Sequence, residues 1–269
     1  MNEESGKCSV PKRLSLFLHL TPSMELAEMN YRQVQDYLKT SDSAIIPVGA
    51  IEQHGPSCAV GTDACLAETF SRDLAEQLGI LRTPTMNFGV SQQQMVFPGT
   101  ISLKPETLAS VFRDIHASLQ HHGFRKFFVI NGHYENSATI KLEIGELLQH
   151  FHHSLYYLID FWELEPVQKV MQKRLQERGG HADATDLALM MHIAPDQVDS
   201  SALVEEWPSI NAFVSNNIQH KHITKMGVIG SDQKKATPEI GAELYNTIIE
   251  TYKAHISKRR CSQRRGDRC

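Results

Sequence analysis

Residues 44–56 read AIIPVGAIEQHGP, an apolar strand that runs straight into a Glu-x-His pair. The strand is Ala44 to Gly49, and the pair is Glu52 and His54. Farther along, Lys126 to Asn131 (KFFVIN) is a second apolar strand, leading into Asn131-Gly132-His133-Tyr134-Glu135-Asn136. Positions i and i+2 of an extended segment project to the same side, so Glu52 and His54 face one point, as do His133 and Glu135. Ligand sites of open α/β sheets collect outside the carboxyl ends of the strands, which is where both pairs fall.

Asp63 stands nine residues after His54 and follows Gly61-Thr62. It precedes a helical pattern in which Leu66, Phe70 and Leu74 recur every four residues. One reading makes Asp63 a helix N-terminal carboxylate, favoured by the dipole and bound to nothing else. The other joins it to the two pairs as a carboxylate able to bridge. Glu52, His54, Asp63, His133 and Glu135 then form five oxygen and nitrogen ligands. That set suits two divalent ions of zinc or manganese type with water between them. The chain reads as a metal-dependent hydrolase.

Strand and helix signals alternate along the remainder, with no internal repeat. Thr21 to Leu38 and Pro105 to His122 read as amphipathic helices, the second opened by Pro105 at a favourable first-turn position. Ser154 to Asp160 is a strand and Ala182 to Ile193 a buried helix. Thr237-Pro238-Glu239 opens a last helix, with Ile240, Leu244, Ile248 and Tyr252 at helical spacing, that ends before the tail. The alternation predicts a single three-layer α/β domain, a mostly parallel sheet flanked by helices, over residues 14–257. An N-terminal tail, 1–13, and a basic C-terminal tail, 258–269, flank it.

Composition narrows the function. The 269 residues are 41% hydrophobic, enough for one large domain with a substantial core. No apolar run reaches the roughly 18 residues of a membrane span. Met1 to Pro11 is polar and mixed in charge, unlike a secretory leader, so a cytoplasmic location is expected and no membrane partner. A net charge of −4 argues against nucleic acid as a partner. Five cysteines without a CxxC pair place Cys58 and Cys65 among small buried residues rather than ligands. His121-His122 and His152-His153 sit at element boundaries, without a carboxylate pair, and read as solvated.

Taken in order, these strings resemble the creatininase (creatinine amidohydrolase) family. Val48 to Pro56 (VGAIEQHGP), followed by Gly61-Thr62-Asp63, is similar to the family signature. Phe97 to Leu103 (FPGTISL), Asn131 to Ser137 (NGHYENS), Gly180-His181-Ala182 and the run from Gly227 to Tyr245 follow in the family's order. The resemblance implies a layered α/β architecture and a homohexamer. It implies one metal ion held by Glu52 and His133, another by His54 and Glu135, and Asp63 bridging them. It places Ser91 and Tyr134 against substrate, makes Trp162 an aromatic lid, and assigns proton transfer to His181.

The chain also departs from that pattern. The family's second pocket tryptophan and the aspartate after it align near Glu177 and Arg178. Its usual Glu-Thr-Ser reads Asp186-Leu187-Ala188, and a histidine common after Gly-Pro is Ser57. One wall of the substrate pocket is therefore chemically different.

The expected reaction is hydrolysis of a C–N bond in a small, creatinine-like cyclic amide. Two metal ions lower the pKa of a shared water from about 15.7 to about 7, and the resulting hydroxide attacks a polarised carbon. Glu135 or Asp186 takes the water's proton, and His181 delivers one to the leaving nitrogen. Without the resemblance, His181 reads as a buried histidine bonded to backbone. Deformylation of a nucleotide-precursor formamide needs a basic phosphate cluster that the sequence does not display. Ring opening of a small carbocyclic ketone needs only the same metals and a changed pocket. A non-catalytic oligomeric binding protein is disfavoured because all five ligands are present.

Overall fold

The computed structural model describes residues 23–176, 179–205 and 224–262. Its strands are β1 (Ser43–Val48), β2 (Leu81–Arg82), β3 (Lys126–Asn131) and β4 (Leu155–Asp160), all parallel in the order β2-β1-β3-β4. Register is continuous across the centre, with Ala44 opposite Phe127, Val48 opposite Asn131 and Asn131 opposite Asp160. β1 and β3 are buried at every position. Both faces are covered, which is why these strands are apolar runs rather than alternating ones.

The alternation of side chains sorts the core into two layers. Ile45, Phe128, Ile130 and Ile159 point into one, against α2 (Thr62–Leu78), α5 (Glu165–Arg174), α6 (Ala184–Ile193) and α7 (Pro238–Ser262). Ala44, Ile46, Phe127 and Val129 point into the other, against α1 (Tyr31–Leu38), α3 (Pro105–His121) and α4 (Asn136–His150). Phe70 of α2 anchors the first layer, fully buried and edge-on to Phe161 and Tyr252 at centroid distances of 5.7 and 6.2 Å. Truncating such a side chain to alanine costs about 3–5 kcal/mol. The α/β fold is thus a three-layer one.

Strand order also places the functional end. The chain leaves β1 through α2 to β2 on one side, then returns through α3 to β3 on the other. The crossing direction reverses between β1 and β3, so a crevice opens at their carboxyl ends.

Three elements differ from the sequence reading. The helix expected over Thr21–Leu38 is confined to Tyr31–Leu38; residues 21–22 lie outside the described residues. Asn30 starts it with a capping box to Gln33, while the preceding segment lies along β2, where Arg82 N–H donates to Met24 O at 2.8 Å. Pairing with a sheet edge overrides the helical pattern there. α6 begins at Ala184 rather than Ala182, because Asp183 caps it by accepting from Thr185 N–H. α7 continues to Ser262 instead of ending before Lys258. Its two arginines are packed: the Arg259 guanidinium lies 4.0 Å from the Tyr157 ring centroid, and Arg260 donates to Leu78 O at 2.7 Å.

Candidate metal centre

The first motif leaves β1 and the second leaves β3, side by side, with the N-terminus of α2 wedged against both. Two glycines make that approach possible. A Cβ on Gly49 would stand 2.4 Å from Ala64 Cα, and one on Gly132 would stand 2.2 Å from Asp63 O. Asp63 is the second residue of α2, so the helix-terminus reading of it is correct as far as it goes. The same placement aims its carboxylate at both motifs. The His133 loop is tied by Asn131, which accepts from His133 N–H at 3.1 Å and donates to His133 O at 2.8 Å. Asn136 spans the strands, donating to Gly49 O at 3.0 Å and accepting from Val90 N–H at 2.9 Å.

Each buried imidazole is held through one nitrogen and presents the other to Asp63. His54 Nδ1–H donates to Glu52 O at 3.0 Å, and its Nε2 lies 3.1 Å from Asp63 Oδ1. His133 Nε2–H donates to Val90 O at 2.6 Å, and its Nδ1 lies 2.9 Å from Asp63 Oδ2. A backbone carbonyl can only accept, so in a neutral ring the lone pair sits on the nitrogen facing Asp63. This is the outer-shell arrangement common to metal-binding histidines. Glu52, His133 and Glu135 offer ligand atoms within 4.8 Å of one another. His54 joins that group through Asp63. Glu135 is not in extended backbone as the i, i+2 rule supposed; it caps α4 with φ −65° and ψ −19°. A turn, not a strand, brings it beside His133.

Burial of this much charge sets the electrostatics. Burial alone pulls the His54 and His133 pKa values down, but Asp63 beside the first and Glu52 with Asp63 beside the second raise both to about 10. Burial pushes Glu52 up to about 7, with His133 opposing it and Asp63 adding to it. Asp63 is held below the usual carboxylate range: burial opposes this, but the two imidazoliums outweigh it. Burial raises Glu135 as well. Without metal, the carboxylates keep protons on the histidines as their counter-charge. Even so, Glu52 Oε2 and Asp63 Oδ2 are buried without an aligned hydrogen bond. Orphaned carboxylate oxygens, imidazole lone pairs and an oxygen–nitrogen donor set fit zinc or manganese.

The remaining predicted residues lie around this cluster. His181 pairs with Ile229 through a short antiparallel bridge, and its Nδ1 is 3.2 Å from Glu52 Oε1. Its ring stands 4.8 Å from that of His54, and Nε2–H donates to Gln53 O at 2.9 Å. Asp186 Oδ2 lies 4.0 Å from His54 Nε2 and accepts from Ala182 N–H at 2.9 Å. Burial raises the Asp186 pKa to about 6 against the pull of His54. Ser91 is fully buried with Oγ 3.3 Å from His133 Nε2. Tyr134 is 70% exposed at the rim, its ring 6.1 Å from that of the half-buried Trp162. Glu177 and Arg178 lie outside the described residues, as do residues 1–22 and 263–269. Cys58 and Cys65 are partly buried free thiols, and the two His-His pairs are exposed.

The family model described as creatinine amidohydrolase matches residues 27–256. The chain belongs to the creatininase family. It is therefore a hydrolase of a family described as amidohydrolases. It is 28% identical to the creatinine amidohydrolase of Pseudomonas putida over 206 residues, 71% of this chain and 79% of that protein. It is 25% identical to the 3-dehydro-scyllo-inosose hydrolase of Thermotoga maritima, over 75% of this chain and 68% of that one. A crystal structure of creatininase superposes with a TM-score of 0.82 at 26% identity, covering 90% of this chain and 99% of that chain. Further creatininase structures, of manganese and Zn–Zn types, each match at 25% identity and a TM-score of 0.81 over 89% of this chain and 99% of theirs. Those neighbours support divalent metal binding by the family. Among the described residues no helix is long and apolar enough to cross a membrane.

Sequence reasoning passed over two residues of this creatininase-family site. Gln53 donates to Gln94 Oε1 at 2.8 Å and to Gly227 O at 2.9 Å, and its amide nitrogen lies 2.9 Å from His181 Nε2. Ala182, next to His181, has φ +54°. That conformation costs a non-glycine residue on the order of 1 kcal/mol or more. Nothing in the one-dimensional pattern flags either, because both depend on segments far apart in the chain.

Proposed function

We propose that this chain hydrolyses the C–N bond of a small, creatinine-like cyclic amide at a centre for two divalent ions, zinc or manganese. The observation that supports it most is the pair of backbone-tethered imidazoles converging on the two oxygens of Asp63. Glu52 and His133 would hold one ion, His54 and Glu135 the other, and Asp63 would bridge. Bound there, the ions supply Lewis-acid polarisation of a carbonyl oxygen and acidify water. Glu135, its carboxyl pKa raised by burial, takes the proton released from the attacking water. Asp186 is placed beside His54 to share that proton or to support the ligand. His181 protonates the leaving nitrogen, held at the edge of the cluster by Gln53 and the Ile229 bridge. Tyr134 and Trp162 pack a flat ring at the entrance, and Ser91 offers its hydroxyl from the floor.

The test is a turnover assay of zinc- and manganese-loaded protein with creatinine and related lactams, alongside formamides and carbocyclic ketones. Amide hydrolysis that is lost in Glu135→Ala supports the reading. Turnover confined to a carbocyclic ketone would replace it with ring-opening hydrolysis, the reading favoured by the similarity to the Thermotoga hydrolase. A homohexamer is proposed as well, and sedimentation velocity of the loaded protein tests it.

A further inference from the structure

We propose that Gln233 is a positioning residue that fixes His181 against the metal-ligand cluster. Gln233 follows Asp232 in a short 3-10 turn, is fully buried, and lies 176 residues along the chain from Ser57. Its Oε1 accepts from Ser57 Oγ at 2.9 Å and from Val204 N–H at 2.9 Å. Its Nε2–H donates to Ala182 O at 2.6 Å. Two donors on the oxygen and one acceptor on the nitrogen fix the orientation of the amide. One side chain thus ties the loop carrying Glu52 and His54 to the turn carrying His181.

That turn needs holding. Ala182 is in the left-handed region, which glycine adopts freely and alanine does not. Both of its backbone polar groups are capped by side chains, N–H by Asp186 and C=O by Gln233. The turn ends the His181–Ile229 bridge, with N···O distances of 2.7 and 2.9 Å, and directs the imidazole at Glu52 Oε1, 3.2 Å away. Freed from Gln233, Ala182 relaxes toward an ordinary φ, and the ring swings off the cluster. Ser57 stands where the family resemblance places a histidine, and here its hydroxyl donates to Gln233. The proposal rests on His181 as the proton-delivering group.

The experiment compares wild type with Gln233→Met, which keeps length and volume but forms none of the three bonds. Crystal structures of the metal-free forms report Ala182 φ and the His181–Glu52 separation. Kinetics of the zinc-loaded forms use creatinine. We expect His181 displaced by about 1 Å or more, metal content unchanged, kcat lowered about 10- to 100-fold and KM within about threefold. Ala182→Gly, added to Gln233→Met, should recover part of the loss, because glycine holds the turn without the tether. A merely structural glutamine predicts no such rescue. If Gln233→Met does not fold, Gln233→Asn, one methylene too short to span both loops, replaces it. An unmoved His181 with unchanged kcat overturns the proposal. If His181→Asn hydrolyses creatinine like wild type, or wild type does not hydrolyse it, the catalytic reading fails instead. The crystallographic position of His181 then decides the positioning role alone.

Discussion

Asp63 Oδ2 stands 2.9 Å from Nδ1 of His133, whose other nitrogen is committed to Val90 O. The Asp63 oxygen has no aligned hydrogen bond of its own. In the metal-free chain two protonated imidazoles balance this buried carboxylate, and bound ions would take their place. Wild-type protein supplemented with zinc or manganese should carry about two ions per chain, and Asp63→Ala at most one. Elemental analysis after desalting measures both. Equal content in the two proteins would remove Asp63 from the centre. The same measurement on Glu52→Ala, His133→Ala, His54→Ala and Glu135→Ala tells whether the ions pair as proposed or follow sequence neighbours.

Metal-free protein should lose stability between pH 7 and 10. His54 and His133 titrate at about 10 in the folded chain, against about 6.5 when unfolded. The folded state therefore binds more protons throughout that interval. The stabilisation is complete below about pH 6.5 and drains away as pH approaches 10. Glu52 and Asp186, raised to about 7 and about 6, complete most of their change at lower pH. Bound ions require neutral imidazoles, so loaded protein should hold or gain stability over the same range. Urea midpoints of both forms at pH 7, 8.5 and 10 test this, and parallel curves would separate these histidines from the metals.

Replacing His181 with Asn should keep both ions and leave KM near normal while lowering kcat by about 10²- to 10⁴-fold, the scale for a positioned acid or base. An amide substrate with a leaving group that needs no protonation should recover part of the rate. Loss of an ion instead would make His181 a ligand, and an unchanged rate would make it structural. The proton carrier would then be sought at Glu135 or Asp186.

Gly132→Ala should damage fold and centre together. The added Cβ meets the backbone oxygen of Asp63 at 2.2 Å, which no rotamer change relieves, so α2 must move away from β3. Overpacking of that kind costs roughly 1–3 kcal/mol, and here the displaced element carries Asp63. Thermal denaturation should show the loss, and metal content should fall with it. Gly145→Ala, where an added Cβ meets nothing within 4 Å, is the control.

Sequence alone determined β1, β3, most of α3, and the identity of the ligand candidates. A parallel strand covered on both faces must be apolar throughout, as KFFVIN is, and a helix buried on one side must repeat its apolar residues, as Leu108, Phe112 and Leu119 do. Glutamate and histidine placed just past such strands mark a site because open sheets bind at that end. Periodicity could not show that the Glu25 segment pairs with β2 instead of extending α1, or that packed arginines prolong α7. It could not show that Glu135 reaches the cluster from a helix cap. Nor could it reveal the hydrogen bonds of Gln53 and Gln233, whose partners stand up to 176 residues away along the chain. Local pattern records which face of an element is buried. Tertiary packing alone sets which distant polar groups meet there, because each buried amide must find its partners wherever the folded chain brings them.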